Sequence, residues 1–376
     1  MDYRYPWRDG NVFDLLVDGS RYFPVMIQSI EQAKHVVLLE MYLVESGHIS
    51  SAFIHACIQA ANNGVSVYIL LDDFGCRGLK MSDRELLNRQ NISTYYYNPM
   101  RYGRLRRAFF RDHRKLLVVD AKVGFIGGSG LTDDFYAQYA KNHKPWHDLM
   151  VQLKGPCLTD CVDMFLHTWR QAQGDILKIQ PFNVHQYVHG VTGRLTQTQG
   201  KGTQEIKTSL LKRLRSVERS VFLSTAYFVP SHKIRRALKS AARRGVHVNL
   251  LLPGRFTDHP AVRHAGRRFY ASLLKAGVNI YEYQPRFLHA KVLLCDNWAS
   301  IGSSNIDRWN FRWNLEANIE IDDPQFAKVV TDWFELGFSD SQRFQYSSWH
   351  QRPWLSKILE WFWGKVDILL DRVTRR

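Results

Sequence analysis

The chain is 376 residues long, 45% hydrophobic and 13% aromatic, with a formal charge of +16. That length suggests two domains or two halves with their own cores, and the hydrophobic share excludes a disordered chain. The charge points to a polyanionic partner, nucleic acid or an anionic membrane, against the plainer reading of a solvated basic surface.

The first stretch, "MDYRYPWRDGNVFDLLVDG", lacks the basic-then-apolar pattern of a signal peptide. No window holds about 18 uninterrupted apolar residues, so no transmembrane helix is expected. "SIEQAKHVVLLEMYL" reads as a helix running into a strand, and "ISSAFIHACIQAANNG" as a helix stopped by glycine. Apolar β-branched runs continue to alternate with helical patterns, which argues an α/β layer fold around a largely buried sheet. "RYGRLRRAFFRDHRK", 101–115, carries seven Arg or Lys against one Asp, with Tyr102, Phe109 and Phe110 interleaved. It reads as a solvated loop or as a loop at the mouth of a site, suited to lipid phosphates or to single-stranded nucleic acid. In "RKLLVVDAKVGFIGG" a strand carrying the His and Lys turns at Asp120–Lys122 into a second strand ending at glycines. His113 and Lys115, two apart, then share a face.

"GVTGRLTQTQGKGT", 190–203, is rich in Gly, Thr and Gln and reads as a loop. After it the first half repeats in order. "AARRGVHVNLLLPG" (241–254) matches "AANNGVSVYILLDD" (60–73), and "VFLSTAYFV" (221–229) matches "VVLLEMYLV" (36–44), aligning Tyr227 with Tyr42. "IYEYQP" (280–285) matches "YYYNP" (95–99), and "ASIGSSNI" (299–306) matches "GFIGGSGL" (124–131). The chain is an internal duplication, divided as 1–175, 176–345 and a tail, 346–376. In the tail Leu355, Leu359, Phe362, Val366, Leu369 and Val373 make an apolar stripe at helical spacing. Lys357, Glu360, Gly364, Asp367 and Asp371 make a polar face, and Trp354, Trp361 and Trp363 crowd its first half. Two readings stay open: an interfacial membrane helix, or a helix packed on the core or on a second subunit.

Five cysteines, Cys57, Cys76, Cys157, Cys161 and Cys295, are an odd number without a disulfide-like framework, and fit buried thiols in a reducing compartment.

The duplication carries one octapeptide pattern twice: "HRKLLVVD", His113 to Asp120, and "HAKVLLCD", His289 to Asp296. A Lys beside each His repels a metal cation and suits a phosphate, so no metal and no cofactor are expected. Two histidines can divide phosphodiester exchange. One attacks phosphorus and the other protonates the leaving alcohol, while Lys115 and Lys291 stabilise the phosphoryl oxygens. Asp120 and Asp296, at turns several residues from the histidines, are expected to hold their hairpins.

On these residues the chain resembles the phospholipase D superfamily, whose pattern is HxKxxxxD followed by a Gly-Ser/Gly-x-Asn segment. The second copy is complete, with Gly302, Ser303 and Asn305 after Asp296. The first has Ser129 but places Gly130 where Asn305 aligns, which leaves open whether it supplies an amide to the phosphate. "GNVFDLLVDG", "LLEMYL", "HDLMVQLKGP", "AYFVP", "RRALKSAARRGV" and "NLEANIEI" further resemble the bacterial cardiolipin synthase branch, over about residues 5–340. The resemblance implies two α/β/α sandwich halves forming a pseudo-twofold unit around one interfacial site. It also implies metal-free catalysis, with Asp148 and Glu316 orienting the histidines. It further implies glycerophospholipid substrates, such as phosphatidylglycerol or phosphatidylethanolamine, an anionic membrane surface as partner, and a peripheral position on the cytoplasmic face of the bacterial inner membrane. Nucleic acid is the disfavoured partner. By family tendency His113 is the nucleophile and His289 the general acid, though the near-symmetric motifs leave that order open. The rival functions are a nuclease of the same fold, a hydrolytic phospholipase D, and a non-catalytic binding module that would need no paired histidines.

Overall fold

The computed structural model describes residues 3–88, 91–99, 109–173, 177, 179, 182–200 and 202–375. The first half runs β1 (Arg8–Val17), α1 (Gly19–Glu31), β2 (Val36–Met41), α2 (His48–Asn62), β3 (Ser66–Asp72), α3 (Met81–Leu86), β4 (Ile92–Tyr97), β5 (Arg111–Asp112), β6 (Lys115–Val119), β7 (Val123–Gly127), β8 (Leu149–Lys154) and α4 (Cys157–Gln173). The second runs β9 (Val191–Gln199), β10 (Thr203–Gln204), α5 (Glu205–Ser216), β11 (Ser220–Ser224), α6 (His232–Arg243), β12 (His247–Pro253), α7 (Pro260–Arg267), α8 (Tyr270–Leu274), β13 (Asn279–Tyr283), β14 (Val292–Cys295), β15 (Trp298–Gly302), α9 (Asn310–Trp313), β16 (Asn314–Asp322) and α10 (Pro324–Ser339). β17 (Ser341–Phe344), α11 (Tyr346–Trp349) and α12 (Trp354–Arg375) follow.

The first sheet has the order β4-β3-β2-β6-β7-β8-β1, with β2, β3 and β4 parallel and the rest antiparallel. The second repeats it as β13-β12-β11-β14-β15-β16-β9, with β17 added beyond β13. β1 joins the two: Val12–Val17 pair with β8, while Arg8 and Asn11 pair with β9 across a bulge at Gly10, which holds φ +82°. The repeated helix ends obey one rule. α2 stops before Gly64 and α6 before Gly245, both at positive φ, where glycine carries no Cβ penalty.

The sheets pack face to face. Between them Leu38, Leu116 and Val151 of the first half meet Leu251, Leu294 and Ile319 of the second, closed by α4 and α10. α1 and α2 cover the outer face of the first sheet, α5 and α6 that of the second. This is the layered α/β arrangement the duplication implies. The five cysteines are buried and unpaired.

Two expectations are corrected. Residues 190–203 are not a loop, because β9 and β10 occupy them. β9 pairs with β16 from Thr192 to Gln199 and buries Thr196, Gln197 and Thr198. Its polar side chains serve buried partners: Gln197 Oε1 accepts from Arg114, which also donates to Glu40 and Thr168. The hairpin of β6 and β7 forms, but His113 lies ahead of it, between β5 and β6, rather than on the strand. Most of the basic run lies at 100–108, outside the described residues.

Candidate active site

Each histidine is held by the opposite half. The His113 backbone N–H donates to the Leu315 carbonyl at 2.9 Å, and that of His289 to the His147 carbonyl at 2.8 Å. The next residue along supplies a carboxylate to the imidazole. His113 Nδ1 lies 2.9 and 3.0 Å from the two oxygens of Glu316, and His289 Nδ1 lies 2.5 Å from Asp148 Oδ2. The backbone bond sets each ring one residue out of step with its carboxylate, so the same short segment positions both. Each carboxylate holds the Nδ1–H tautomer and leaves Nε2 for chemistry.

The lysines sit beneath. Lys115 Nζ donates to the His113 carbonyl at 2.5 Å and lies 4.9 Å from the centre of the Tyr42 ring, which also packs 4.6 Å from His113. Lys291 Nζ lies 3.0 Å from His289 Nε2 and 3.9 Å from Asp148. Burial pulls Lys115 down to about 7 and Lys291 to about 8, although Glu316 and Asp148 oppose it. Burial also pulls His113 down to about 4, against Glu316, and lowers His289, with Lys291 adding to the effect. Burial alone would raise Asp148, but Lys291 and His289 outweigh it and hold that carboxyl below its ordinary value. A phosphodiester anion bound here would stabilise the charged lysines and imidazoles.

Both histidines and Lys115 line one cavity of about 800 Å³ between the halves. Its walls mix these polar groups with Phe74, Phe109, Trp146, Val229, Trp309 and Trp313. Such a cavity can hold a phosphodiester at its polar base and apolar groups along its sides. Among the described residues no group of three or more His, Cys, Asp or Glu could hold a metal ion.

Residues 26–143 and 210–336 match the family described as "Cardiolipin synthase, PLD-like domain". Cardiolipin synthase B of Shigella flexneri is 32% identical over 339 residues, covering 87% of this chain and 80% of that protein. Cardiolipin synthase A of Pseudomonas putida strain GB-1 is 32% identical over 346 residues, covering 90% and 71%. The chain belongs to this cardiolipin synthase family. Its fold matches the crystal structure of phosphatidylserine synthase from Haemophilus influenzae, with TM-score 0.73 and 13% identity over 96% of this chain and 94% of that one.

Other residues of the family pattern divide into site and scaffold. Ser303 Oγ donates to Glu316 at 2.5 Å, and Asn314 Nδ2 donates to its other oxygen at 3.1 Å, so both reach His113 through that carboxylate. Asn305 is buried and accepts from Thr225 Oγ1 at 3.1 Å. Ser129 does not repeat the role of Ser303: it accepts from Tyr22 at 2.9 Å and donates to the Gly130 carbonyl. Gly130 cannot carry the missing amide unless its neighbours move, because a Cβ there would come within 2.7 Å of the Leu43 carbonyl. Gly128 has the same constraint for another reason: a Cβ would meet Asp148 at 2.5 Å, so the glycine lets that carboxylate reach His289. Asp120 and Asp296 are not part of the cavity lining. Asp120 accepts from the backbone of Lys34, His35 and Val36, each at 2.8 Å, and Asp296 from Glu218, Arg219 and Ser220 at 2.9 to 3.0 Å. Each clips its hairpin to the loop before the neighbouring parallel strand, as their place in the turn suggests.

Sequence reasoning passed over Tyr42, Asn314 and Asp258. Tyr42 was marked by the repeat register alone. Asp258 lines the cavity and accepts from Tyr227, the partner of Tyr42, at 2.5 Å. Nothing in the repeat marks it, because it follows β12 where the two halves diverge.

Proposed function

We propose that the protein transfers a phosphatidyl group from one glycerophospholipid to the hydroxyl of another, making cardiolipin when both are phosphatidylglycerol. As a member of the cardiolipin synthase family it is a phosphatidyltransferase. The observation that carries the finer reading is the pair of crosswise His–carboxylate contacts at the base of one cavity.

The neutral His113 ring, its Nδ1–H held by Glu316, attacks phosphorus through Nε2. A P–N bond forms and the P–O bond to the leaving glycerol breaks, with His289 delivering a proton to the departing oxygen. The acceptor hydroxyl then gives its proton to His289 and attacks phosphorus, which releases His113. Lys115 and Lys291 neutralise the non-bridging oxygens in both steps. Lys291 Nζ lies 2.8 Å from His289 Nδ1 and 3.0 Å from Nε2, so its cation stands against the ring rather than on one lone pair, and the order of the two histidines rests on the family tendency. The Asp–backbone clips give Asp120 and Asp296 a scaffold role.

Among the described residues no helix is long and apolar enough to cross a membrane. A peripheral position on the cytoplasmic face of the inner membrane accords with the positive charge and the lipid substrates.

Incubation with phosphatidylglycerol vesicles should yield cardiolipin and free glycerol, and added glycerol should reverse the reaction. Phosphatidic acid as the sole product would make the enzyme a hydrolase. Cleavage of single-stranded DNA with no lipid product would make it a nuclease.

A further inference from the structure

A surface helix ordinarily buries its apolar stripe and turns its charges to water. α12 is docked the other way. Glu360 is 2% exposed, whereas Trp354 is 67%, Trp361 64% and Leu369 61% exposed. At about 100° per residue, Glu360, Gly364 and Asp367 share one face, and Leu355, Leu359, Phe362 and Leu369 spread over the opposite one.

The inward face is built for its place. Glu360 pairs with Arg352 at 2.8 Å and faces Arg267 of α7 at 3.9 Å. Asp367 pairs with Arg268 at 2.5 Å and with Arg308. Arg268 also donates to the Gly364 carbonyl, and a Cβ at Gly364 would meet the Arg268 side chain at 2.9 Å. Paired carboxylates and a glycine-sized gap thus fix the inward face. The outward face keeps its large apolar side chains, and Lys357 and Lys365 are exposed beside them. Lys365 Nζ lies 5.8 Å from the Trp361 ring. The acids of the helix's described side chains therefore point inward and Lys365 outward, while Lys357, also exposed, donates to the His350 carbonyl at 2.9 Å.

The helix also touches the site. Asp367 and Arg308 line the cavity that holds both histidines, together with Trp309, which is 40% exposed. The inward face of α12 is thus part of the cavity wall, while its apolar face is turned away from that wall to the outside.

We infer that α12 is a bilayer-docking surface, with its outward face seated in the interface of an anionic membrane and its inward carboxylates holding the cavity mouth at that plane. The inference rests on the phosphatidyl-transfer reading above. The lysines meet anionic headgroups, the tryptophans sit at headgroup level, and the aliphatic side chains enter the acyl boundary.

The test uses the full chain carrying Leu355→Glu, Trp361→Glu and Leu369→Glu together. All three side chains already face outward, so folding should be retained, and circular dichroism checks it. Flotation with vesicles half phosphatidylglycerol and half phosphatidylcholine should show partitioning reduced about a hundredfold, as expected for losing several inserted side chains. Activity on those vesicles should fall with it, while kcat/KM on a monomeric short-chain phosphatidylglycerol stays at the unsubstituted level. Undiminished flotation would overturn the inference. So would a dimer of the unsubstituted protein that the substitutions dissociate without loss of flotation, because a second copy would then cover the face. Absence of turnover on the short-chain lipid in the unsubstituted protein would sink the catalytic reading, and flotation would still judge α12 independently.

Discussion

The two histidine centres share a fold position but not a chemical environment. Around His113 the carboxylate is Glu316, with both oxygens engaged, one by Ser303 and one by Asn314, and the ring packs on Tyr42. Around His289 the carboxylate is Asp148, lysine and imidazole are in direct contact, and the ring sits among Phe135, Trp146 and Phe287 at 5.2 to 5.6 Å. The equivalent of Ser303, Ser129, has turned away to Tyr22. Duplication supplied the geometry, and divergence of the supporting side chains gave the two imidazoles different surroundings. Both carboxylates have both oxygens engaged, Glu316 by side chains and Asp148 by the His289 ring and the Leu149 N–H, so each favours the Nδ1–H tautomer. At His289 the Lys291 cation against the ring adds to burial in lowering the proton affinity, which makes the imidazolium a stronger acid.

The largest expected effect comes from removing either ring. His113→Ala and His289→Ala should each lower kcat by about a thousandfold or more. They should differ in what accumulates: with a donor lipid bearing a good leaving group, the His289→Ala protein should trap a phosphatidyl group on His113, located by mass spectrometry. Trapping on residue 289 of the His113→Ala protein would exchange the two roles.

Glu316→Gln and Asp148→Asn come next. Each keeps the shape but no longer fixes the tautomer, and kcat should fall about a hundredfold with little change in KM. Glu316→Gln should block formation of the covalent intermediate, and Asp148→Asn should alter the pH dependence. Identical pre-steady-state behaviour in the two variants would give both histidines the same role.

The pH profile separates lysines from histidines. His113 is pulled down to about 4, so it stays neutral through the weakly acid range. Lys115 and Lys291, at about 7 and about 8, are cations below those values and neutral above, and only the cation stabilises phosphoryl oxygens. kcat/KM should therefore fall as pH rises through that window. Lys115→Arg, which cannot lose its charge, should move the alkaline limb up by about one pH unit or more, at a lower maximum. An unmoved limb would assign it elsewhere.

The smallest effect concerns metal. In the proposed reaction the two lysines supply the positive charge at the phosphate, so treatment with EDTA should leave turnover of the short-chain lipid unchanged. Loss restored by a divalent ion would show that the lysines are not sufficient.

Much of this architecture was legible because a repeat is self-checking. The two HxKxxxxD copies, the aligned Tyr42 and Tyr227, and the glycines stopping α2 and α6 each predict a counterpart that can be looked for. β9 was lost because its buried side chains are Thr and Gln, which composition assigns to loops. Distant partners make those polar groups acceptable inside: Arg114 donates to the Gln197 side chain, and Thr196 donates to the Asn318 carbonyl. The register of the repeat could have rescued it, since a strand like β1 must open the second half as well. The crossed pairing of Glu316 with His113 and Asp148 with His289 had no sequence signal. Both carboxylates follow their own half's motif, and only the face-to-face packing reveals which ring each one reaches. The tail was legible as amphipathic but not as inverted, because a helical wheel fixes which residues share a face and not which face has partners. The arginines that settle it, Arg267, Arg268 and Arg308, lie far away in the chain.

The crossed pairs also constrain how such a chain can change over generations. A half on its own holds an imidazole with no carboxylate, and a carboxylate with no imidazole, so neither copy can lapse while the other carries the activity. A single ancestral half could have worked only as a symmetric pair of identical subunits, each completing its neighbour. Once fused, the copies became free to specialise but not to separate. Two chains, one inactivated at His113 and the other at His289, should accordingly recover no activity by mixing unless whole halves exchange between molecules.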